Sequence, residues 1–386
     1  MEIEIGKGKT GRRSYGFDEV SIAPSRRTRD PEDIDISVNI GKYKLELPVL
    51  ASAMDGVVDV KFAIEMRKMG GLAVLNLEGL QCRYDNADEI MERISKFSAE
   101  EATSKMQKIY CEPIKEELIT KRVKQIKKES DIVCVSLTPK NVEKYYNIAI
   151  NAGLDILVIQ GTVVSAEHVS KTKMPLDLEK FIHECPIPVI VGGCASYSTS
   201  LHLMRTGAVG VLIGVGPGAA CTTRQVLGIG VPQATAIADA SAARVRYLEE
   251  TGQYSLVIAD GGMRTGGDIA KAIACGADLV MIGSPLSRAK EAPGRGYHWG
   301  MATFHPDLPR GTRIKTGVVA SLREILVGPA FENDGTLNLF GALRTSIATC
   351  GYENIKDFQK AEVVVAPSIK TEGKLQQQQQ KVGMGS

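Results

Sequence analysis

The chain has 386 residues, 44% hydrophobic and 24% charged, with a formal net charge of +2. This is ordinary globular composition with ample length for a large core. The near-neutral charge argues against a general phosphate-backbone surface, so no nucleic-acid partner is expected.

No apolar run approaches a membrane span and the N-terminus is charged from Glu2 onward, which reads as a cytoplasmic protein with no membrane partner. In chain order, buried β-branched runs are expected at 48–52, 72–75, 131–136, 156–159, 187–191, 209–213, 256–260 and 279–282. Four of them follow a glycine break, as in Met69-Gly70-Gly71, Ala152-Gly153, Thr206-Gly207 and Cys275-Gly276. Each break reads as a helix C-cap leading into a strand. Eight such runs separated by helix-length segments predict an α/β fold, a (β/α)8 TIM barrel, as a single domain over 1–370. A doubly wound open sheet is the alternative, but no GxGxxG turn opens a nucleotide-binding half.

More than fifty residues separate the second and third runs, and their helical pattern predicts a helical insertion at about 80–128. Within it the lysines between 115 and 128 fall at helical spacing, as on a solvated face. The eight cysteines show no CxxC pairing and no metal-type His spacing, so reduced thiols are expected. Residues 371–386 read as a disordered low-complexity tail.

Cys221 lies in Gly214-Val215-Gly216-Pro217-Gly218-Ala219-Ala220-Cys221-Thr222-Thr223-Arg224, directly after the sixth run. A thiol there is either an inert small filler or a nucleophile. Cys134 sits inside an apolar run as a filler does, whereas Cys221 lies between small residues and hydroxyls at the catalytic end of the barrel. The glycines at 214, 216 and 218 let a ligand approach the backbone and free carbonyls for a cation. After the seventh and eighth runs come Asp260-Gly261-Gly262 and Gly283-Ser284. Barrels often bind phosphate there through backbone amides, with Asp260 left to accept from ribose hydroxyls. These glycines could equally serve as tight βα turns.

With Tyr15-Gly16-Phe17-Asp18-Glu19-Val20, Ala51-Ser52-Ala53-Met54-Asp55, Gly216-Pro217-Gly218 through Cys221-Thr222-Thr223-Arg224, Asp260-Gly261-Gly262 and Met281-Ile282-Gly283-Ser284, the chain resembles the IMP dehydrogenase/GMP reductase family over nearly its whole length. That family inserts two CBS modules after the second strand, where this chain has only its helical insertion. The resemblance implies oxidation of IMP to XMP with NAD through a thioimidate on Cys221, with Thr223 in the hydrolytic step. It places Ser52, Met54, Asp260, Gly261, Gly262, Gly283 and Ser284 on the nucleotide. A further phosphate and base contact is implied in Tyr297-His298-Trp299-Gly300-Met301, at Tyr297, Gly300 and Met301, with one residue added. It places Gln160, Gly161, Thr162 and Gly214 on NAD, and the carbonyls of Gly216, Gly218 and Cys221 on a monovalent cation, usually K+. It also implies a homotetramer, possibly an octamer.

A mobile flap is expected at about 304–316. The reductase branch, which converts GMP and NADPH to IMP and ammonia, uses a glutamate there, and the dehydrogenase branch an arginine. This flap has no glutamate and offers Arg310 and Arg313. A free guanidinium, with a pKa above about 12, is a poor base on its own, and solvated loop arginines are the alternative. The chain departs from the family at Gln160 for an aspartate, Cys194 for an asparagine, Leu212 for an arginine and Ala219 for a serine, and its flap lacks the usual arginine-tyrosine pair. The first three are expected toward the cofactor side. These departures keep open a third reading, a purine-nucleotide-binding regulatory protein without turnover.

Overall fold

The computed structural model describes residues 2–171, 175–366, 374–380 and 383. Its centre is a closed barrel of eight parallel strands in sequential order. They are β1 (Val49–Ala51), β2 (Leu72–Asn76), β3 (Cys134–Leu137), β4 (Ile156–Gln160), β5 (Val189–Cys194), β6 (Gly210–Ile213), β7 (Leu256–Asp260) and β8 (Leu279–Ile282). β8 pairs with β1 to close the cylinder.

Most positions in each run are apolar because both faces are covered, with polar residues such as Asn76, Gln160 and Asp260 at strand ends near the cleft. The strand period of two sends Leu50, Leu72, Val74, Ile156, Val158, Ile190, Leu212, Ile258 and Met281 into one buried cluster inside the barrel. Their neighbours Val49, Ala73, Leu75, Leu157, Ile159, Val191, Val211, Val257 and Val280 join the larger cluster that packs under the helices. A hairpin of Val38–Ile40 with Tyr43–Leu45 adds Ile40 and Leu45 to the interior cluster. Leu212 is thus a barrel filler, and Cys194, also buried, has its Sγ 3.4 Å from Ser200 Oγ. Neither lines the cleft described below, contrary to their expected place on the cofactor side.

The segment after β2 carries α2 (Ala87–Ser95), α3 (Ala99–Ile109) and α4 (Glu116–Glu129), following α1 (Val60–Lys68). The fourth packs against α1 and against α5 (Val142–Ala152), so it is the barrel's own outer helix. The extra material is therefore α2 and α3 rather than all of 80–128. They build a separate small core from Ile90, Met91, Ile94, Ala102, Met106 and Ile109. Their local logic is ordinary: Ser98 caps α3 by accepting from the Glu101 amide, and acidic residues fill both first turns.

Two further strands, β9 (Tyr297–His298) and β10 (Ile314–Lys315), pair antiparallel and bound an excursion that contains the expected flap. Within the tail, Lys374–Gln380 forms a helix where none was expected, consistent with the good helix propensity of Lys, Leu and Gln. The rest of 371–386, apart from Gly383, lies outside the described residues. Among the described residues no helix is long and apolar enough to cross a membrane.

Candidate active site

The loops after β1, β4, β6, β7 and β8 surround one cleft at the carboxyl ends of the strands. It has two lobes that meet at Cys221, Gly218, Ser52, Met54, Asp260 and Gly261. The larger, of about 620 Å³, runs out past Gly262, Gly283, Ser284 and His298 to a rim formed by residues 16–19. The smaller, of about 160 Å³, is lined by Gln160, Gly161, Thr162, Gly214, Gly216, Met301 and Arg310. Gly300 borders both.

Cys221 is half-buried where the lobes join, and its Sγ donates to Thr223 Oγ1 at 3.1 Å. Thr223 opens the short helix Thr223–Leu227 and is fully buried, so this hydroxyl is fixed in place. The loop depends on close backbone approach: a Cβ on Gly214 would stand 2.2 Å from the Asp260 carbonyl oxygen. Gln233 braces the same place, its Nε2 donating to the Ile213 carbonyl at 2.6 Å and to that of Asp260 at 3.2 Å. Gly218 and Gly216 lie in this loop with Cys221, and the Gly218 carbonyl accepts the Cys221 N–H at 3.0 Å. A carbonyl oxygen keeps a second lone pair after one such bond.

Asp260 ends β7 and points across the cleft. Burial pushes its carboxyl up to about 7, offset in part by the hydrogen bond that Gln160 Nε2 donates to Oδ2 at 3.2 Å. Gln160 therefore bridges from the smaller lobe to the larger, and its own Oε1 is buried without a partner. Gly261 and Gly262 take φ of +78° and +83°, a region open to glycine, and turn the chain back over Pro217 and Gly218. At Gly283 a Cβ would lie 2.7 Å from Met54 Sδ, so the β8 loop runs close against the Met54 side chain of the β1 loop.

Two expected residues fall elsewhere. Tyr297 does not line either lobe; its ring faces the Arg313 guanidinium at 4.5 Å. Arg313 in turn donates to the carbonyls of Ile94 at 2.5 Å and Phe97 at 2.6 Å, both in the helical insertion. Arg310 is the flap arginine in the cleft, with its Nε buried and unpartnered. His298 takes the inward position, because successive residues of β9 face opposite ways. Its Nε2 lies 3.0 Å from Ser284 Oγ, and burial pushes the ring down to about 4. Gly16, Phe17, Asp18 and Glu19 form part of the cleft wall, a place with no mark in their own pattern. Ala219 lines the larger lobe without a hydroxyl.

The family model for the IMP dehydrogenase / GMP reductase domain matches residues 14–304. An uncharacterized oxidoreductase of Mycolicibacterium smegmatis is 44% identical, covering 94% of this chain and 99% of that protein. Inosine-5'-monophosphate dehydrogenase of Methanocaldococcus jannaschii is 25% identical, covering 94% of each chain. The crystal structure of an IMP dehydrogenase/GMP reductase-like protein from Corynebacterium glutamicum superposes with a TM-score of 0.90 at 43% identity, covering 94% of this chain and 97% of that one. The chain belongs to the IMP dehydrogenase/GMP reductase family.

Proposed function

We propose that this protein is an oxidoreductase that converts IMP to XMP with NAD through a covalent bond between Cys221 and C2 of the purine. The observation that carries the reading is the thiol itself: Cys221 stands where the two lobes meet, paired to the buried hydroxyl of Thr223. A protein that only bound nucleotide would have no use for a nucleophile at that junction.

In this reading the larger lobe holds the nucleotide. Asp260 accepts from the ribose hydroxyls, the loops at 261–262 and 283–284 take the phosphate, and Ser52 and Met54 lie along the base. The smaller lobe fits the cofactor's reactive end, since Gln160, Gly161, Thr162 and Arg310 line it beside Cys221 and the buried Gln160 Oε1 and Arg310 Nε have no partner in the protein. NAD supplies a hydride acceptor there.

Sγ of Cys221 would add to C2 and give up its thiol proton; NAD, when bound in the smaller lobe, would accept the hydride that C2 loses, and a thioimidate on Cys221 would remain. Water then adds to C2, the C–S bond breaks, and Cys221 is restored with XMP released and one proton given up over the whole cycle. Thr223 and Arg310 orient that water, one from below the thiol and one from the flap. Neutral carbonyls at Gly216, Gly218 and Cys221 suit a monovalent cation such as K+, which would hold the loop's shape. Among the described residues no cluster of three or more His, Cys, Asp or Glu offers a transition-metal site.

The absence of a flap glutamate and the presence of Arg310 in the cleft favour the oxidative direction over GMP reduction. Acid-quenched reactions with IMP and NAD, read by intact-protein mass, test the covalent step. The reading requires a nucleotide adduct that maps to Cys221. A protein that turns over without such an adduct would refute it.

A further inference from the structure

The expected hydrolytic role of Arg313 does not fit its place, and what it does instead has a consequence for the flap. The flap crosses the catalytic loop as a short antiparallel pairing, with Cys221 opposite Gly311. The Thr222 amide donates to the Arg310 carbonyl at 3.1 Å, and the Thr312 amide to the Ala220 carbonyl at 2.9 Å. A Cβ on Gly311 would sit 3.0 Å from the Ala220 oxygen and 2.5 Å from Thr303 Oγ1, so glycine allows this approach. Two main-chain hydrogen bonds are a weak tether for a loop that must present Arg310 to Cys221.

Beyond its pairing with β9, the flap draws further support from α2 and α3. Arg313 closes the carbonyl end of α2 through Ile94 and Phe97, a favourable place for a cation. Gln107 of α3 donates to the His305 carbonyl at 3.0 Å, and Phe304 stacks on Tyr110 with ring centroids 3.4 Å apart. Trp299, at the flap's start, is buried in the insertion's core and donates to Tyr110 Oη at 2.8 Å. Tyr110 Oη donates in turn to Asp55 in the β1 loop at 2.5 Å. The insertion thus grips the flap near both ends, at Phe304 and His305 on one side and at Arg313 on the other.

We propose that the α2–α3 insertion is the flap's anchor, and that Arg313 is a positioning residue that holds Arg310 over Cys221 without touching substrate. The catalytic half of this proposal rests on the reading of IMP oxidation above; the anchoring half does not.

Amide hydrogen exchange and pre-steady-state kinetics on the full chain test the two halves separately. In Arg313→Ala, exchange at Thr222 and Thr312 should rise at least about tenfold, because both amides are protected only while the flap is docked. Gln107→Ala should move the same amides in the same direction by less, and Arg313→Lys should recover part of the protection. With IMP and NAD, Arg313→Ala should keep the burst of hydride transfer and slow only the later turnover. Unchanged exchange at both amides in Arg313→Ala and Gln107→Ala would overturn the anchor, whatever the enzyme's activity. Faster exchange with unaltered turnover, or loss of the burst itself, would overturn the positioning role.

Discussion

Replacing Asp260 by Asn should stabilise the free protein at alkaline pH and not at acid pH. The carboxyl's value rises from an ordinary 3.8 to about 7 on folding, a penalty on its charged form of about 4 kcal/mol at full ionisation. Between about pH 4 and 7 the unfolded chain has released this proton and the folded chain has not. Folding therefore takes up a proton, and stability falls as pH rises through that window. Asn removes the charge yet still accepts from Gln160, so the variant should match wild type near pH 3 and gain about 2–4 kcal/mol by pH 8. Denaturant unfolding at half-unit pH steps measures the difference directly. A difference that does not change with pH would refute the argument that burial dominates this group. The same linkage predicts that nucleotide binding releases a proton at pH 6, since ribose hydroxyls donating to Asp260 favour its charged form.

Cys221→Ala should abolish turnover by several orders of magnitude and leave IMP affinity by calorimetry nearly intact. If the loop at 283–284 takes the phosphate as proposed, His298→Ala should weaken IMP binding at least about tenfold, roughly 1.4 kcal/mol, while leaving inosine binding unchanged, because His298 holds Ser284. Gly214→Ala should destabilise the fold by about 1–3 kcal/mol in thermal or denaturant unfolding, since its Cβ meets the Asp260 backbone and not a side chain that could swing away. Exchange of sodium or lithium for potassium at fixed ionic strength should raise activity, and equal rates in all three salts would show that the 216–221 loop is organised without an ion.

The barrel was legible because a fully buried parallel strand has to be an unbroken apolar run, and glycine breaks punctuate four of the eight. The insertion's bounds were less so. The α4 pattern of alternating lysines and apolar residues is the same whether the helix belongs to the barrel ring or to added material, and only its packing against α1 and α5 decides. The cleft's glycines, Cys221, Asp260 and Ser284 could be read because close backbone approach and loop position leave marks in sequence, whereas Thr223 followed only from the family resemblance. The exchange of Tyr297 for His298 and the parting of Arg310 from Arg313 could not. In β9 and the flap the inward face is set by pairing with β10 and with the catalytic loop, contacts between segments with no local signature.

The central claim, oxidation of IMP at Cys221, is tested most directly by following absorbance at 340 nm with the purified protein under two conditions. With IMP and NAD in potassium buffer the absorbance should rise, and Cys221→Ala should give no rise. A fall with GMP and NADPH, and no change with IMP and NAD, would contradict the account and assign the reductive direction instead.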